Sequence, residues 1–340
     1  MSLKVYVVKK GLYVALTLFF VIMIIFFLVR LVPGDIAYVA LGQDAPRAAI
    51  EAFRREMGLD RTLPEQFLIL LSNLAHGKLG ISGITSTDAM PAILYYLPAT
   101  IELATLAMTV AIIFGILLGV TTGYTENKKV DNIVSFFAIS GLSTPVFLTA
   151  IFLQVIVAGL IPSFPLIGRI EPGFSIHRVT GLMLIDTLLA GNTFAFVSAL
   201  KCLALPTFTL ALGPTAAIMR LVRANTIREK RKSYITTFKA NGLPNSLLRW
   251  RYLLPNAISP ALTVAGLQFA NALGGSFVIE TIFGFPGIGW IGVEAMIDKD
   301  INMIQGVTLF AAIFFLISNF VVDFLHSYID PRIRLKEKAD

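Results

Sequence analysis

The chain has one cysteine, Cys202, which rules out a disulfide within it. Its three histidines, His76, His177 and His326, are scattered and give no metal-ligand spacing. No Gly-rich phosphate loop ending in Lys-Ser or Lys-Thr occurs, and the one Gly-Lys pair, Gly77-Lys78, continues into Leu79. A nucleophile elbow, an HExxH run and paired histidines are also missing. Only 14% of residues are charged. Nucleotide hydrolysis through a phosphate loop and the common hydrolytic chemistries are therefore excluded.

What remains is apolar. Hydrophobic residues make up 56% of the chain and mean hydropathy is +0.78, an integral-membrane composition. A spanning helix needs roughly 20 mostly apolar residues. Six segments meet that length: 10–32, 97–123, 132–161, 201–223, 255–282 and 304–328. The expected fold is an all-α, polytopic, multi-pass protein of the cell membrane with six transmembrane helices. The first segment is too long for a signal-peptide core and runs into Leu31-Val32-Pro33-Gly34-Asp35 without a small-x-small cleavage site. It reads as a retained anchor, residues 1–32.

The net charge of +7 is unevenly spread. Lys4, Lys9, Lys10, Lys128 and Lys129 fall on one face of the expected topology. So do Arg220, Arg223, Arg228, Lys230, Arg231, Lys232, Lys239, Arg249, Arg251, Arg332, Arg334, Lys336 and Lys338. On the other face, acids outnumber bases in the loop 33–96, and Glu294, Asp298 and Asp300 outnumber Lys299 in 284–303. This positive-inside bias predicts N- and C-termini on the cytoplasmic side. The basic excess is thus a topology signal rather than a nucleic-acid footprint.

The external loop 33–96 is expected to carry two short amphipathic helices. One presents Ile50, Phe53 and Met57 before Gly58, and the other opens at Pro64. Pro98 is expected to start the second span, leaving Glu102 in its first turn as a helix-end charge or a substrate group. Pro145 lies inside an apolar run and predicts a kinked third helix, either shaping a pathway or merely bending. The stretch 176–199 is expected to form an interfacial or external helix pair. Gln268, Asn271, Gly274, Gly275 and Ser276 suit either helix packing or a polar route. Gly284, Pro286, Gly287 and Gly289, after Glu280, predict irregular backbone that lines a cavity or forms an aromatic-belt turn. No ionisable group stands at mid-membrane, which argues against a proton relay.

One cationic stretch interrupts the apolar chain at 224–253. Tyr234, Ile235 and Phe238 share one face of a short helix; Gly242-Leu243-Pro244 turns the chain; Leu247 and Leu248 follow. An exposed apolar face here would be a docking element. Alternatively, the basic residues hold topology and bind anionic membrane lipid.

The spacing of Thr236-Thr237-Phe238, Gly242 and Tyr252-x-Leu254-Pro255 resembles the EAA loop of ABC-importer permeases. "LVPGD", "MGLD", "LPATIELA", "LSTPVF", "ETIFGFPGIGW" and "IDPRIR", in that order, resemble the B-type permease subunit of oligopeptide/dipeptide importers over nearly the whole chain. Thr236 stands where the motif has glutamate and Phe238 where it has alanine. Phe238 is expected to deepen an apolar contact with the ATPase.

The resemblance implies a type I importer fold with its permease core at 97–340. It implies ATPase coupling through Tyr234, Ile235, Thr236, Thr237, Phe238, Ala240, Gly242, Leu243, Leu254 and Pro255. Candidate path or gate residues are Pro145, Gln268, Asn271, Gly275, Glu280, Pro286 and Gly287. The implied partners are a second homologous permease subunit, two ABC ATPase subunits and an extracytoplasmic solute-binding protein. ATP and Mg belong to the ATPases, and this chain is expected to bind no cofactor. Peptide is the expected solute, with nickel and oligosaccharide as the alternatives. An ion-coupled secondary carrier and a non-transporting receptor-like subunit stand as competing readings.

Overall fold

The computed structural model describes residues 3–31, 45–56, 58, 60–125 and 144–329, with 129, 133, 134, 136 and 141 between them. The motifs at 32–35 and 330–334, most of 132–143, and Met57 lie outside the described residues, as does the side chain of Phe53. Among the described residues eleven helices follow in order: α1 (Leu3–Leu31), α2 (Arg47–Glu56), α3 (Leu63–Ala75), α4 (Ala89–Tyr124), α5 (Val146–Leu160), α6 (Met183–Leu189), α7 (Thr193–Lys230), α8 (Ser233–Ala240), α9 (Leu254–Ile282), α10 (Ile288–Ile297) and α11 (Ile301–Ile329). A helical turn, Asn245–Leu247, and a π-helical turn, Leu248–Leu253, join α8 to α9. Pro255 has no N–H to continue the ladder, and the Leu254 N–H reaches back five residues to the Arg249 carbonyl.

Four of these helices contain stretches long and apolar enough to cross a membrane: Val8–Leu28, Ala89–Tyr124, Thr193–Lys230 and Ile301–Val322. A fifth crossing exists if Asn245–Ile258 and Ala261–Gly274, bent by 60°, count as one span. The apolar helix α5 has 15 residues. At 1.5 Å per residue it covers about 22 Å, less than a bilayer core of about 30 Å.

Several helix ends differ from the sequence expectation. Helix α4 starts at Ala89, where the Asp88 carboxylate accepts the Met90 N–H at 2.9 Å, so Pro98 is internal rather than initial. Glu102 is accordingly not in a first turn. Helix α5 begins after Pro145, which adopts an extended conformation (ψ 133°) and does not kink a continuous helix. The second arm of 176–199 is the opening of α7, capped by Asn192 accepting the Ala195 N–H at 3.0 Å. The external-loop helices form where expected. Pro64 sits in the first turn of α3, and Glu65 accepts the Thr62 N–H at 3.1 Å, which lowers its pKa.

The core is built on α4 and α7. Gly115, Gly119 and Gly123 recur every four residues and lie against Ile218, Val222 and Thr226 of α7. A Cβ at any of them would sit 2.7–2.8 Å from an α7 side chain, so the helices meet backbone to backbone. Leu103, Ala107 and Ala111 of α4 join Leu203, Leu210 and Ile218 of α7 and Ala261, Ala265 and Ile279 of α9 in one buried cluster. A second cluster holds Ile93, Ile288, Ile291, Met303 and Val307, binding α10 and α11 to the start of α4.

Candidate functional site

The basic loop is a folded knob. Helix α8 closes with the Leu243 N–H bonded to the Phe238 carbonyl (3.1 Å) and the Gly242 N–H to the Lys239 carbonyl (3.0 Å). That double cap requires a left-handed residue, and Gly242 supplies it at φ +77°. The face of Tyr234, Ile235 and Phe238 turns inward, contrary to the expected exposed apolar face. Ile235 is 1% exposed and packs with Leu253 and Ala257 at the start of α9. The Phe238 ring lies 4.5 Å from that of Tyr252 and 6.1 Å from that of Tyr234. The Tyr234 hydroxyl donates to Glu229 at 3.0 Å, and burial together with that carboxylate pushes the phenol pKa up, keeping it a donor. Thr236, Thr237, Lys239, Ala240, Asn241 and Gly242 form the exposed surface. All ten residues expected to couple are thus gathered in the knob and its return arm, with the polar ones outermost.

A cavity of roughly 390 Å³ brings together three of the expected path residues: Pro145, Gln268 and Asn271. Thr144, Thr149 and Thr209 add hydroxyls to its wall. Pro214 also lines it and offers no N–H to the carbonyl of Leu210, one turn earlier on the same wall. Gly275 lies one turn beyond Asn271 on α9.

Glu280, Pro286 and Gly287 do not reach this cavity; they form a clasp near the C-terminal end of α9. Glu280 is fully buried. Its carboxylate accepts the Thr100 hydroxyl (2.8 Å) and the N–H groups of Gly289 (2.8 Å) and Trp290 (3.1 Å) at the start of α10. The Thr100 oxygen in turn accepts the Ile288 N–H at 2.9 Å. A helix N-terminus is a natural partner for a carboxylate. A Cβ on Gly287 would lie 2.4 Å from both Glu280 Oε2 and Thr100 Oγ1, and one on Gly289 would lie 2.4 Å from the Phe277 ring. Gly287 leaves room for the carboxylate, and Gly289 leaves room chiefly for Phe277.

Three further groups of contacts escaped the sequence reading, although it noted Glu102 and Asp300 as charges. Glu102 is buried, pairs with Arg169 and accepts the Leu184 N–H at 2.8 Å. Asp300 accepts from the Ser82 hydroxyl and the N–H groups of Ile84 and Met303, tying the two acidic loops together. Tyr124 gathers contacts from the whole basic loop. Apart from the local Asp300–Met303 bond, these pairings join residues far apart in the chain, a relation that spacing along one chain does not encode. The four-residue glycine repeat of α4, also left unmarked in the sequence reading, is by contrast a signal that spacing does carry.

Residues 111–335 match the family described as binding-protein-dependent transport system inner membrane component. Residues 3–104 match its N-terminal companion family. The chain is 38% identical to the dipeptide transport system permease protein DppB of Alkalihalophilus pseudofirmus, covering 91% of this chain and 93% of that one. It is 36% identical to the probable D,D-dipeptide transport system permease protein DdpB of Escherichia coli K12, with 92% of each covered. It is also 36% identical to the di/tripeptide transport system permease protein DppB of Pseudomonas aeruginosa, covering 94% and 95%. A helical membrane chain with a capped basic knob, matched over nearly its whole length, belongs to the family of inner membrane components of binding-protein-dependent transport systems.

Proposed function

We propose that this chain is one of two homologous permease subunits that together enclose a path for peptides across the cell membrane. Both termini and the knob lie in the cytoplasm, and the chain crosses six times, α5 belonging to one of the crossings. Two ABC ATPase subunits bind and hydrolyse ATP with Mg, and an extracytoplasmic solute-binding protein delivers the solute. This chain binds no cofactor itself. Peptide is favoured over nickel or oligosaccharide because the similar permeases above are named for dipeptides and tripeptides. The cavity at Pro145, Gln268 and Asn271, with Gly275 beyond it, serves as this subunit's wall of the path, and the Glu280–Gly287 clasp stands at its outer gate.

The observation that carries the reading is the knob. Its apolar residues Tyr234, Ile235 and Phe238 fasten it to α9, while Thr236, Thr237, Ala240 and the Gly242–Leu243 turn form the surface offered to an ATPase. Leu254 and Pro255, at the foot of α9, receive the movement, and rigid-body rocking of the helices converts it into alternating access. The test is purification from native membranes through a tag on this chain. An ATPase co-purifies with the unaltered protein and is lost on Gly242→Pro or on deletion of 236–242. Its retention in both variants defeats the assignment. Uptake of a labelled dipeptide by reconstituted complex checks the solute, and uptake of nickel or an oligosaccharide instead overturns the peptide reading.

A further inference from the structure

Every part of the basic loop touches one side chain outside it. Tyr124, the last residue of α4, packs against the cluster of Ile235, Leu253 and Ala257. Its hydroxyl donates to Asn245 Oδ1 at 2.7 Å. Its carbonyl accepts from Lys230 Nζ at 2.9 Å. Its ring is approached by three cations: Lys230 at 5.2 Å, Arg249 at 5.5 Å and Lys239 at 5.9 Å. These partners come from the end of α7, from α8, from the turn, from the π-helical segment and from the start of α9. Arg249 Nε is buried without a hydrogen-bond partner among the described residues, and the rings of Tyr124 and Trp250 face its charge. The preceding residue, Gly123, is wedged against Thr226 and the Arg223 carbonyl.

The other end of α4 holds the clasp. From Thr100 to Tyr124 no proline interrupts the helix, which at 1.5 Å per residue makes a rod of about 36 Å. That length matches a bilayer core of roughly 30 Å with a margin at each side. Thr100 bonds Glu280 and the Ile288 N–H, and Glu102 bonds Arg169 and the Leu184 N–H. One rigid element therefore joins the knob to the clasp.

We propose that Tyr124 is the positioning residue through which displacement of the knob enters α4 and reaches the Thr100–Glu280 clasp on the far side. The proposal rests on the transport reading above and deepens it. If α9 alone carried the movement, Tyr124 would be only a packing residue, and its truncation would not separate the two ends of the molecule.

The experiment uses the complex purified through a tag on this chain, in a Cys202→Ser background with Thr281→Cys as an exposed reporter beside the clasp. Labelling of that cysteine by an impermeant maleimide is timed without nucleotide and after trapping with Mg-ATP and vanadate. In the parent complex the two rates differ. Tyr124→Leu removes the ring face and the hydroxyl; it is expected to keep the ATPase bound and hydrolysing while the rate ratio collapses to one. Tyr124→Phe keeps the ring and restores the ratio. Should Tyr124→Leu fail to assemble, the double variant Lys239→Gln, Arg249→Gln strips two cations from the ring and reduces the nucleotide response on the order of fivefold. An unchanged ratio in an assembled Tyr124→Leu complex overturns the proposal, as does a parent whose rate ignores nucleotide. Absence of any ATPase from the parent preparation defeats the transport reading instead, a failure visible before any labelling begins.

Discussion

Glu280 lies so close to Gly287 that a side chain there would collide with its carboxylate, so the energetics of the two positions are coupled. Glu280→Ala strands the Thr100 hydroxyl and the Gly289 and Trp290 N–H groups in a buried site, at a cost on the order of 3 kcal/mol. Gly287→Ala drives a methyl onto the same carboxylate. Removing the carboxylate makes room for that methyl, so the double variant should lose clearly less thermal stability in detergent than the two single losses added. A strictly additive pair would mean that the two residues do not meet. The sequence marked these positions through their irregular backbone but not Thr100, which lies 180 residues away in the chain. Asp186 gives a second test. Burial pushes its pKa up, but hydrogen bonds from Thr180 and Gly181 outweigh that and hold it below the usual carboxylate range. A folded-state pKa below the unfolded one stabilises the loop above the ordinary range, and the gain is lost as pH falls through the depressed value. Hydrogen exchange of residues 180–189, corrected for intrinsic rate, should therefore lose protection only in acid. Asp186→Asn should lose it already at neutral pH.

Among the elements, the α4–α7 seam depends on its glycines, as α9 does at Gly266 against Val322 but not at Gly274. A Cβ on Gly119 would sit 2.7 Å from Val222 Cβ and 2.8 Å from the Met219 carbonyl, and neither can rotate away as a flexible side-chain end could. Gly119→Ala should cost about 1–3 kcal/mol through forced separation of the helices. Gly274 on α9 has nothing within 4 Å of a built Cβ. Gly274→Ala should leave the isolated chain unchanged or raise its stability by about 0.5–1 kcal/mol, the ordinary helix advantage of alanine. Detergent melting curves of the two variants compare them directly, and equal losses would defeat this account of the interface. Four of the six apolar runs fall on helices long enough to span a membrane, whereas helix ends were not legible from run length. Proline invited a boundary at Pro98, but the Asp88 cap set it at Ala89, since an internal proline is tolerated where neighbours cover the freed carbonyl. The inward turn of Tyr234 and Phe238 was hidden for a similar reason. Their periodicity identifies a face but not the return arm, Tyr252 and Leu253, that covers it.

At the scale of the whole molecule, charge is sorted by the kind of helix end it meets. On the acidic side, carboxylates sit at helix starts: Asp88 on α4, Glu102 on α6, Glu280 on α10 and Asp300 on α11. On the basic side, cations meet helix ends: Lys230 bonds the final carbonyl of α4, and Lys232 pairs with Glu229 at the close of α7. Both placements follow the helix dipole, so they contribute stability in either membrane orientation. Orientation must then come from the exposed surplus, which crowds the loop 220–251 and leaves the opposite loops acidic. This yields a test that needs no partner. In a Cys202→Ser background, Lys239→Cys on the last turn of helix α8 and Lys299→Cys on the turn after α10 are exposed positions at the two ends of the molecule. An impermeant maleimide added to intact cells should label Lys299→Cys and spare Lys239→Cys until the membrane is opened. Labelling of Lys239→Cys from outside would put the knob beyond the reach of any cytoplasmic ATPase. The rod from Tyr124 to Thr100 would then have nothing to transmit.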